Sequence, residues 1–363
     1  MTTTTNRPAV GATPPATGPE IGLHHGRLPR WAPWGTALAG TLVALGLVRV
    51  SGLHVAVGVL LAVAVHGLTL YAWSRVVEGA RRALDRIATV CVTGAFLLAL
   101  LPLVSVVITV LRYGLERFDT EFFTYSMRGI VGEGGGAYHA IMGTLLVTGL
   151  AAVISIPIGL MTAVYLVEYG RGRLARAITF FVDVMTGIPS IVAGLFAYAL
   201  FVIFFGPGVR MGLAGAVALS VLMVPVVVRS TEEMLKLVPN ELREAAFALG
   251  VPKWRTVGKV VLPTALAGIA SGITLAIARV IGETAPLLIV AGTTTSMNMD
   301  PFDNSRMATL PVFAYYSYSL PGVPREPYLA RAWAAALTLI IVVMVLNLGG
   351  RLVARFFAPK ARS

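Results

Sequence analysis

Long apolar runs separated by short polar stretches dominate the hydropathy pattern of this chain. An α-helix needs about 20 predominantly apolar residues to cross the roughly 30 Å hydrocarbon core of a bilayer. The runs of about that length are residues 34–50, 53–73, 87–111, 138–168, 178–205, 209–228, 264–291 and 332–350. The pattern therefore predicts an all-α integral membrane protein with about eight transmembrane helices.

The segment from Gly172 to Met185 differs from its apolar surroundings, because charged residues alternate there with aromatic and aliphatic ones. Arg173 and Asp183 are examples of the charged positions. Such a pattern is typical of a helix that lies in the membrane interface. We expect the fifth span to begin near Gly187, which keeps Asp183 out of the hydrocarbon.

The largest polar segment between spans, residues 229–262, carries several signals for helix termini. Ser230 and Glu233 have the spacing of a capping box, which predicts that a helix begins there. Asn240, after Pro239, predicts a second N-terminal cap. We therefore expect two short helices in this segment rather than an irregular loop.

The second of these helices is predicted over residues 241–249. Gly250 can adopt the left-handed conformation that ends a helix, and Pro252 prevents continuation. The apolar positions i, i+3, i+4 and i+7 of the helix are Leu242, Ala245, Ala246 and Leu249. A short amphipathic helix of this kind needs a partner for its stripe, either lipid headgroups or a groove on a soluble protein.

Composition supports the membrane assignment. Of 363 residues, 56% are hydrophobic and 13% are charged, and the mean hydropathy is +0.81. A soluble domain usually carries about 25% charged residues. The single cysteine, Cys91, cannot form an internal disulfide.

The net charge of +12 would suggest nucleic acid in a soluble protein. Here it follows the predicted topology, because 20 of the 29 lysines and arginines fall in segments on one side. Those segments are 1–33, 75–86, 169–176, 229–262 and 351–363. Cytoplasmic loops carry such an excess, so we expect both termini in the cytoplasm and no nucleic-acid partner. The two sizeable outer segments, 112–137 and 292–331, fit either simple loops or a docking or gating surface.

A spaced motif connects residues 229–263 with a known family. Glu244-Ala245-Ala246, Gly250 and Leu262-Pro263 follow the pattern EAA-x3-G-x9-I-x-L-P, except that Val260 replaces the usual isoleucine. The segment resembles the EAA loop of ABC importer permeases. The resemblance implies that Glu244, Ala245, Ala246, Gly250 and Pro263 couple this chain to a cytoplasmic ATP-binding subunit.

A closer resemblance is to the PstA family of phosphate-specific ABC importer permeases, within the MetI-like permease superfamily. Residues 278–288 read ARVIGETAPLL, similar to that family's ARAxGETAPLL, and residues 187–191 resemble its GxPSI stretch. The likeness covers about residues 85–357. It implies a type I ABC importer permease core with two extra N-terminal helices. The implied organisation is a disordered cytoplasmic tail at 1–33, an extra helical pair at 34–85, the first family helix and an outer loop at 86–137, and a permease core at 138–357.

Arg279 and Glu283 are charges inside a predicted span, and a charge at bilayer depth costs about 2.5–3.5 kcal/mol on insertion scales. They stand four apart, which on a continuous helix places them on one face. Two interpretations stay open: a salt bridge that locks helix packing, or an anion pathway in which the guanidinium contacts phosphate oxygens. Arg229 is a further pathway residue implied by the resemblance, or a basic flank of its span.

No G-x4-G-K-[ST] loop, HExxH or GxSxG motif occurs in the sequence. We therefore expect no enzymatic activity and no bound cofactor in this chain, with ATP and Mg²⁺ used by another protein of the complex. The resemblance implies a homologous partner permease (PstC-like), a dimer of ATP-binding subunits (PstB-like) and an extracytoplasmic phosphate-binding protein (PstS-like) in a bacterial inner membrane. The alternatives are a permease for sulfate or molybdate, or an ion-coupled secondary transporter.

Overall fold

The computed structural model describes residues 26–52 and 54–357, so most of the predicted tail at 1–33 lies outside the described residues. The chain separates into two compact units, residues 1–105 and residues 106–363. Seven described helices are long and apolar enough to cross a membrane, or eight if one bent pair counts as a single span. This confirms the predicted all-α fold with about eight spans.

The first unit is an antiparallel helical hairpin followed by the start of a long third helix. Its helices are α1 (Ala32–Ser51), α2 (Val55–Val77) and α3 (Ala80–Gly114), the last of which continues into the second unit. Small side chains let α1 and α2 approach closely. A Cβ on Gly40 would lie 2.7 Å from the carbonyl oxygen of Ala62. Such close approach at small residues is how helices associate in lipid.

A buried carboxylate closes the hairpin at its open end. Glu78 accepts hydrogen bonds from the Leu28 N–H at 3.0 Å and the Ser74 hydroxyl at 2.8 Å, and from the guanidinium of Arg86 at 2.7 and 3.0 Å. The hydrogen bonds from Arg86 lower the pKa of Glu78 from 4.5 to about 2, against the opposing effect of burial.

Replacing Glu78 by glutamine is expected to lower the free energy of unfolding of the hairpin by about 1–3 kcal/mol at neutral pH, because it removes charge-assisted hydrogen bonds and leaves Arg86 unpaired. The folded-state pKa lies below the unfolded value of 4.5, so the stabilisation is complete above pH 4.5 and is lost as the pH falls towards about 2. Thermal unfolding in detergent, followed by tryptophan fluorescence at pH 7 and pH 3, measures the difference. Asp85→Asn, an exposed carboxylate on α3, is the control. An equal melting temperature for Glu78→Gln and the unaltered protein at pH 7 would contradict the prediction.

Besides a 3-10 turn at Leu115–Arg117, the second unit contains the remaining described α-helices. They are α4 (Thr120–Thr124), α5 (Tyr138–Val164), α6 (Arg173–Thr186), α7 (Ser190–Phe205), α8 (Gly212–Lys236), α9 (Asn240–Ala248), α10 (Lys253–Thr256), α11 (Leu262–Val280), α12 (Ala285–Val290), α13 (Leu310–Ser319) and α14 (Glu326–Phe357). Two single π-helical turns extend this set: Tyr165–Tyr169 continues α5, and Val257–Val261 joins α10 to α11.

Helices α5 and α8 form the centre of the second unit. Val147 and Ala151 of α5 are buried in one cluster with Leu219 and Met223 of α8. Nearer the end of α5, Gly159 faces Val227, and a Cβ on this glycine would lie 2.6 Å from the valine Cγ1. Any larger residue there would push the two helices apart, so the glycine sets their spacing.

The fifth predicted span, 178–205, is broken as expected. Helices α6 and α7 meet at 110° across Gly187–Pro189. Pro189 has extended backbone angles and caps α7, and its ring prevents α6 from continuing through it. Asp183 lies on α6, before the bend, and its side chain is exposed.

Three sequence predictions about helix ends are wrong. The capping box at Ser230 and Glu233 does not start a helix, because α8 runs on to Lys236 and the Ser230 hydroxyl donates to the Val227 carbonyl inside it. Asn240 is the first residue of α9 rather than its cap, and Pro239 stands at the cap position. A hydroxyl-x-x-carboxylate spacing is a start signal only where the preceding chain is not already helical.

The third wrong prediction is the continuous span at 264–291. Helix α11 ends at Val280, a turn follows, and the short α12 begins at Ala285. Pro286 has no N–H, so it cannot bond to the carbonyl of Gly282 four residues earlier. The missing hydrogen bond, together with the flexible glycine, ends the helix before the span is complete.

Candidate translocation site and coupling segment

The turn between α11 and α12 faces a cavity of about 190 Å³ in the second unit. Arg279 and Glu283 contribute the charged side chains of its wall. The other lining residues come from the α6–α7 bend and from α8: Met185, Thr186, Ile188, Ser190, Leu222, Pro225 and Val226. A water needs roughly 10–15 Å³ on this measure, so the cavity has room for a small hydrated anion.

Arg279 and Glu283 do not form an ion pair within the described residues. Because α11 ends at Val280, they do not share a continuous helical face, and the assumed i,i+4 geometry is lost. Arg279 is exposed and Glu283 is half-buried. The helix-locking salt bridge is therefore not seen, and both charges remain available to the cavity.

Arg229 lies on α8, one turn beyond the cavity-lining Val226, and its charge is already compensated. It pairs with Asp183 on α6 and, at 2.8 Å, with Glu232 on its own helix. Lys236 also contacts Glu232, at 2.7 Å. This cluster fastens α6 to α8. Arg229 is thus held by carboxylates, in contrast to Arg279.

Helix α9 ends as the sequence predicts. Gly250 has φ +75°, its N–H donates to the Phe247 carbonyl at 2.9 Å, and the Val251 N–H donates to the Ala246 carbonyl at 3.1 Å. These two bonds form a Schellman motif, which satisfies carbonyls that the last helical turn leaves free.

The predicted apolar stripe of α9 is only partly covered by this chain. Ala246 is buried, whereas Leu249 is 84% exposed and Leu242 and Phe247 are also exposed. Trp254 of α10 is 65% exposed beside them. Glu244 and Ala245 belong to the same exposed surface. We call residues 240–256 the coupling segment; its exposed surface is apolar and partly charged.

Several buried polar residues gave no local signal in the sequence. Glu168 and Arg243 form a buried ion pair at 2.9 Å although 75 positions separate them. His139 is buried against the ring of Phe313, and neither ring nitrogen has a hydrogen-bond partner among the described residues. Each stands near the end of an apolar run or on a short polar helix, which does not distinguish a buried residue from an exposed one.

The two long polar segments that the sequence places outside, 112–137 and 292–331, contain short helices and a buried arginine. Arg331, 1% exposed, donates to the carbonyls of Gly132 and Gly134 at 2.7 and 2.8 Å and stacks over the ring of Tyr328. Its contacts tie the glycine-rich turn of one outer segment to the start of α14. Whether a partner docks on this surface stays a prediction.

Comparison with known proteins agrees with this arrangement. Residues 155–363 match the family model described as the binding-protein-dependent transport system inner membrane component. The chain is therefore an inner-membrane permease component of a binding-protein-dependent transport system.

The sequence relatives define the family more narrowly. The chain is 48% identical over 285 residues to the phosphate transport system permease protein PstA 1 of Mycobacterium tuberculosis (strain CDC 1551 / Oshkosh), covering 78% of this chain and 92% of the relative. It is 49% identical over 275 residues to PstA of Mycobacterium leprae, covering 74% and 88%. The chain belongs to the PstA family of phosphate transport permeases.

A solved structure shows the same fold at low sequence identity. A bacterial alginate ABC transporter, in complex with an alginate-bound periplasmic protein, aligns with a TM-score of 0.53 at 14% identity. The alignment covers 77% of this chain and 97% of the transporter chain. It supports the ABC importer permease architecture and nothing about substrate.

Proposed function

We propose that this chain is the transmembrane permease subunit of an ATP-driven importer of inorganic phosphate. The observation that carries the proposal is the cavity that contains Arg279 and Glu283, in a chain that is nearly half identical to proteins named as phosphate transport permeases. With a partner permease of the PstC type, the chain would form the translocation path.

Arg279 has the chemistry that an anion path needs. A guanidinium donates parallel hydrogen bonds to phosphate oxygens, and within the described residues this one has no carboxylate partner. Glu283 on the same wall repels the anion. We infer that the pair attracts phosphate without holding it tightly, so that the anion can leave towards the cytoplasm.

Energy for transport would enter through the coupling segment. Its exposed surface fits a docking cleft of a PstB-like ATP-binding subunit, which would bind ATP and Mg²⁺ and carry out the hydrolysis. A PstS-like protein would deliver phosphate to the opposite face. We propose that both termini lie on the side of the ATP-binding subunit, as the lysine and arginine distribution predicts.

The substrate assignment predicts selective, ATP-dependent uptake. In proteoliposomes that contain the complete complex, uptake of radiolabelled phosphate should require ATP and should persist in a tenfold excess of sulfate or molybdate. Liposomes loaded with a non-hydrolysable ATP analogue are the control. Equal competition by sulfate or molybdate would assign another oxyanion, and uptake by this chain alone without ATP would favour an ion-coupled transporter instead.

A further inference from the structure

The π-helical turn Tyr165–Tyr169 at the end of α5 is where the coupling segment is fastened to the membrane helices. Glu168 in this turn has a side chain only 6% exposed. It accepts hydrogen bonds from the Nε and Nη2 of Arg243, at 3.1 and 2.9 Å. π-helical turns are rare and are frequently found at functional sites.

Arg243 also contacts the end of a second membrane helix. Its Nη2 donates to the Leu235 carbonyl at 3.0 Å and its Nη1 to the Val238 carbonyl at 2.5 Å. The Leu235 carbonyl belongs to the last turn of α8 and the Val238 carbonyl to the connector just beyond it, so these bonds fasten the guanidinium to the end of α8. One guanidinium on α9 therefore joins α9 to the ends of both α5 and α8.

A second attachment reaches the same π-helical turn from the other end of the coupling segment. The ammonium group of Lys253, at the start of α10, lies 5.0 Å from the centre of the Tyr169 ring. A cation at this distance from an aromatic face is attracted by the ring quadrupole. Adjacent residues of one turn thus hold both α9 and α10.

We propose that the Glu168–Arg243 pair transmits movement of the coupling segment into α5 and α8 and so opens and closes the cavity. This rests on the proposed function, in which an ATP-binding subunit moves the coupling segment. The segment meets that subunit through its exposed side, where Leu249 and Trp254 lie. On the side of the coupling segment that packs against the membrane helices, the ion pair fixes the position of α9 relative to α5. Arg243 cannot shift without leaving Glu168 buried and unpaired.

The path to the cavity is continuous. Helix α8 carries Leu235 at the attachment and Leu222, Pro225 and Val226 at the cavity wall, within one unbroken helix. Helix α5 packs along it. A displacement of the attached end is therefore carried to the wall by the helix itself. Arg243 and Glu168 are positioning residues, since neither lines the cavity.

The test measures the cavity wall directly and does not depend on the substrate. In a Cys91→Ala background, Ser190→Cys places a thiol on the cavity wall of the complete complex. We expect trapping with ATP and vanadate to change its labelling rate with a maleimide about tenfold, a typical size for coupling between sites. Adding Arg243→Gln should reduce this change to less than about twofold while the ATP-binding subunit still co-purifies.

Conservative and matched variants separate transmission from folding. Arg243→Lys keeps the charge but loses the planar guanidinium, so its labelling change should lie between that of Arg243→Gln and that of the protein with Arg243. Tyr169→Leu should reduce it about two- to threefold, because it removes only the weaker attachment. Arg351→Gln, an exposed arginine on α14, should leave it unchanged.

An unaltered labelling change in Arg243→Gln would overturn the proposal, and so would loss of the ATP-binding subunit from that variant, which would make Arg243 a docking residue. Failure of the proposed function is a separate result. It would show as absent phosphate uptake by the unaltered complex, while the nucleotide-dependent labelling change is still present.

Discussion

Replacing Arg279 by glutamine is expected to reduce phosphate uptake by the assembled importer about 10- to 100-fold. The variant removes the guanidinium that lines the cavity. A hydrogen bond to a charged group contributes about 1.5–3 kcal/mol, and each 1.4 kcal/mol is a factor of ten. Uptake of radiolabelled phosphate into proteoliposomes at a fixed protein content is the measurement. Uptake by Arg279→Lys should fall between that of the unaltered protein and that of Arg279→Gln, because lysine keeps the charge without the planar guanidinium.

The partner residue sharpens this test. Glu283→Gln should also lower uptake, because removing the repelling carboxylate lets the site hold the anion longer and slows release. Arg351→Gln changes an exposed charge of α14 outside the cavity and the coupling segment and should transport normally. Normal uptake by both Arg279→Gln and Glu283→Gln would show that the cavity is not the anion path.

Reversing the charge of Glu244 is expected to release the ATP-binding subunit. Glu244 is exposed near the middle of α9, next to the small Ala245 that permits close approach of a partner. A misplaced charge in a docked interface costs several kcal/mol, and about 3 kcal/mol corresponds to a hundredfold loss of affinity. Glu244→Lys should therefore abolish both ATP-driven uptake and co-purification of the subunit.

The control for this variant is Glu133→Lys, the same reversal at an exposed position outside the coupling segment. It should keep the ATP-binding subunit bound. The yield and the elution volume of the permease show whether each variant is folded. A Glu244→Lys protein that still binds the subunit with unchanged affinity would show that docking uses a different surface.

Local signals explain why parts of the fold were predictable. The end of α9 needs only Gly250 and the residues just before it, so the sequence contains the whole motif. The bend between α6 and α7 is likewise encoded at Gly187 and Pro189. The capping-box spacing at Ser230 misled because such a signal competes with the helix already running through it.

The candidate site residues could be singled out from the sequence, but their geometry could not. Charges inside an apolar run are costly, which singles out Arg279 and Glu283 in the sequence. The break after Val280 separates them, and it depends on Gly282 and Pro286, whose effect the apolar pattern conceals. The interpretation that paired Arg279 with Glu283 in a helix-locking salt bridge was therefore wrong.

Long-range pairing was beyond the sequence. Arg243 reads as one polar position on an amphipathic helix, and Glu168 as the charged end of an apolar run. No local pattern predicts that two residues 75 positions apart form one ion pair. The fold brings them together by stacking the ends of α5 and α8, a tertiary effect that no periodicity encodes.

The α1–α2 hairpin places two membrane-length helices, an even number, ahead of α3. The hydrogen bond from the Leu28 N–H to Glu78 brings the two ends of the α1–α2 pair together. Two membrane-length helices joined in this way contribute an even number of crossings, and an even number leaves the orientation of every later helix unchanged. Under the proposed function, the coupling segment therefore faces the compartment that contains ATP whether or not this pair precedes the later helices.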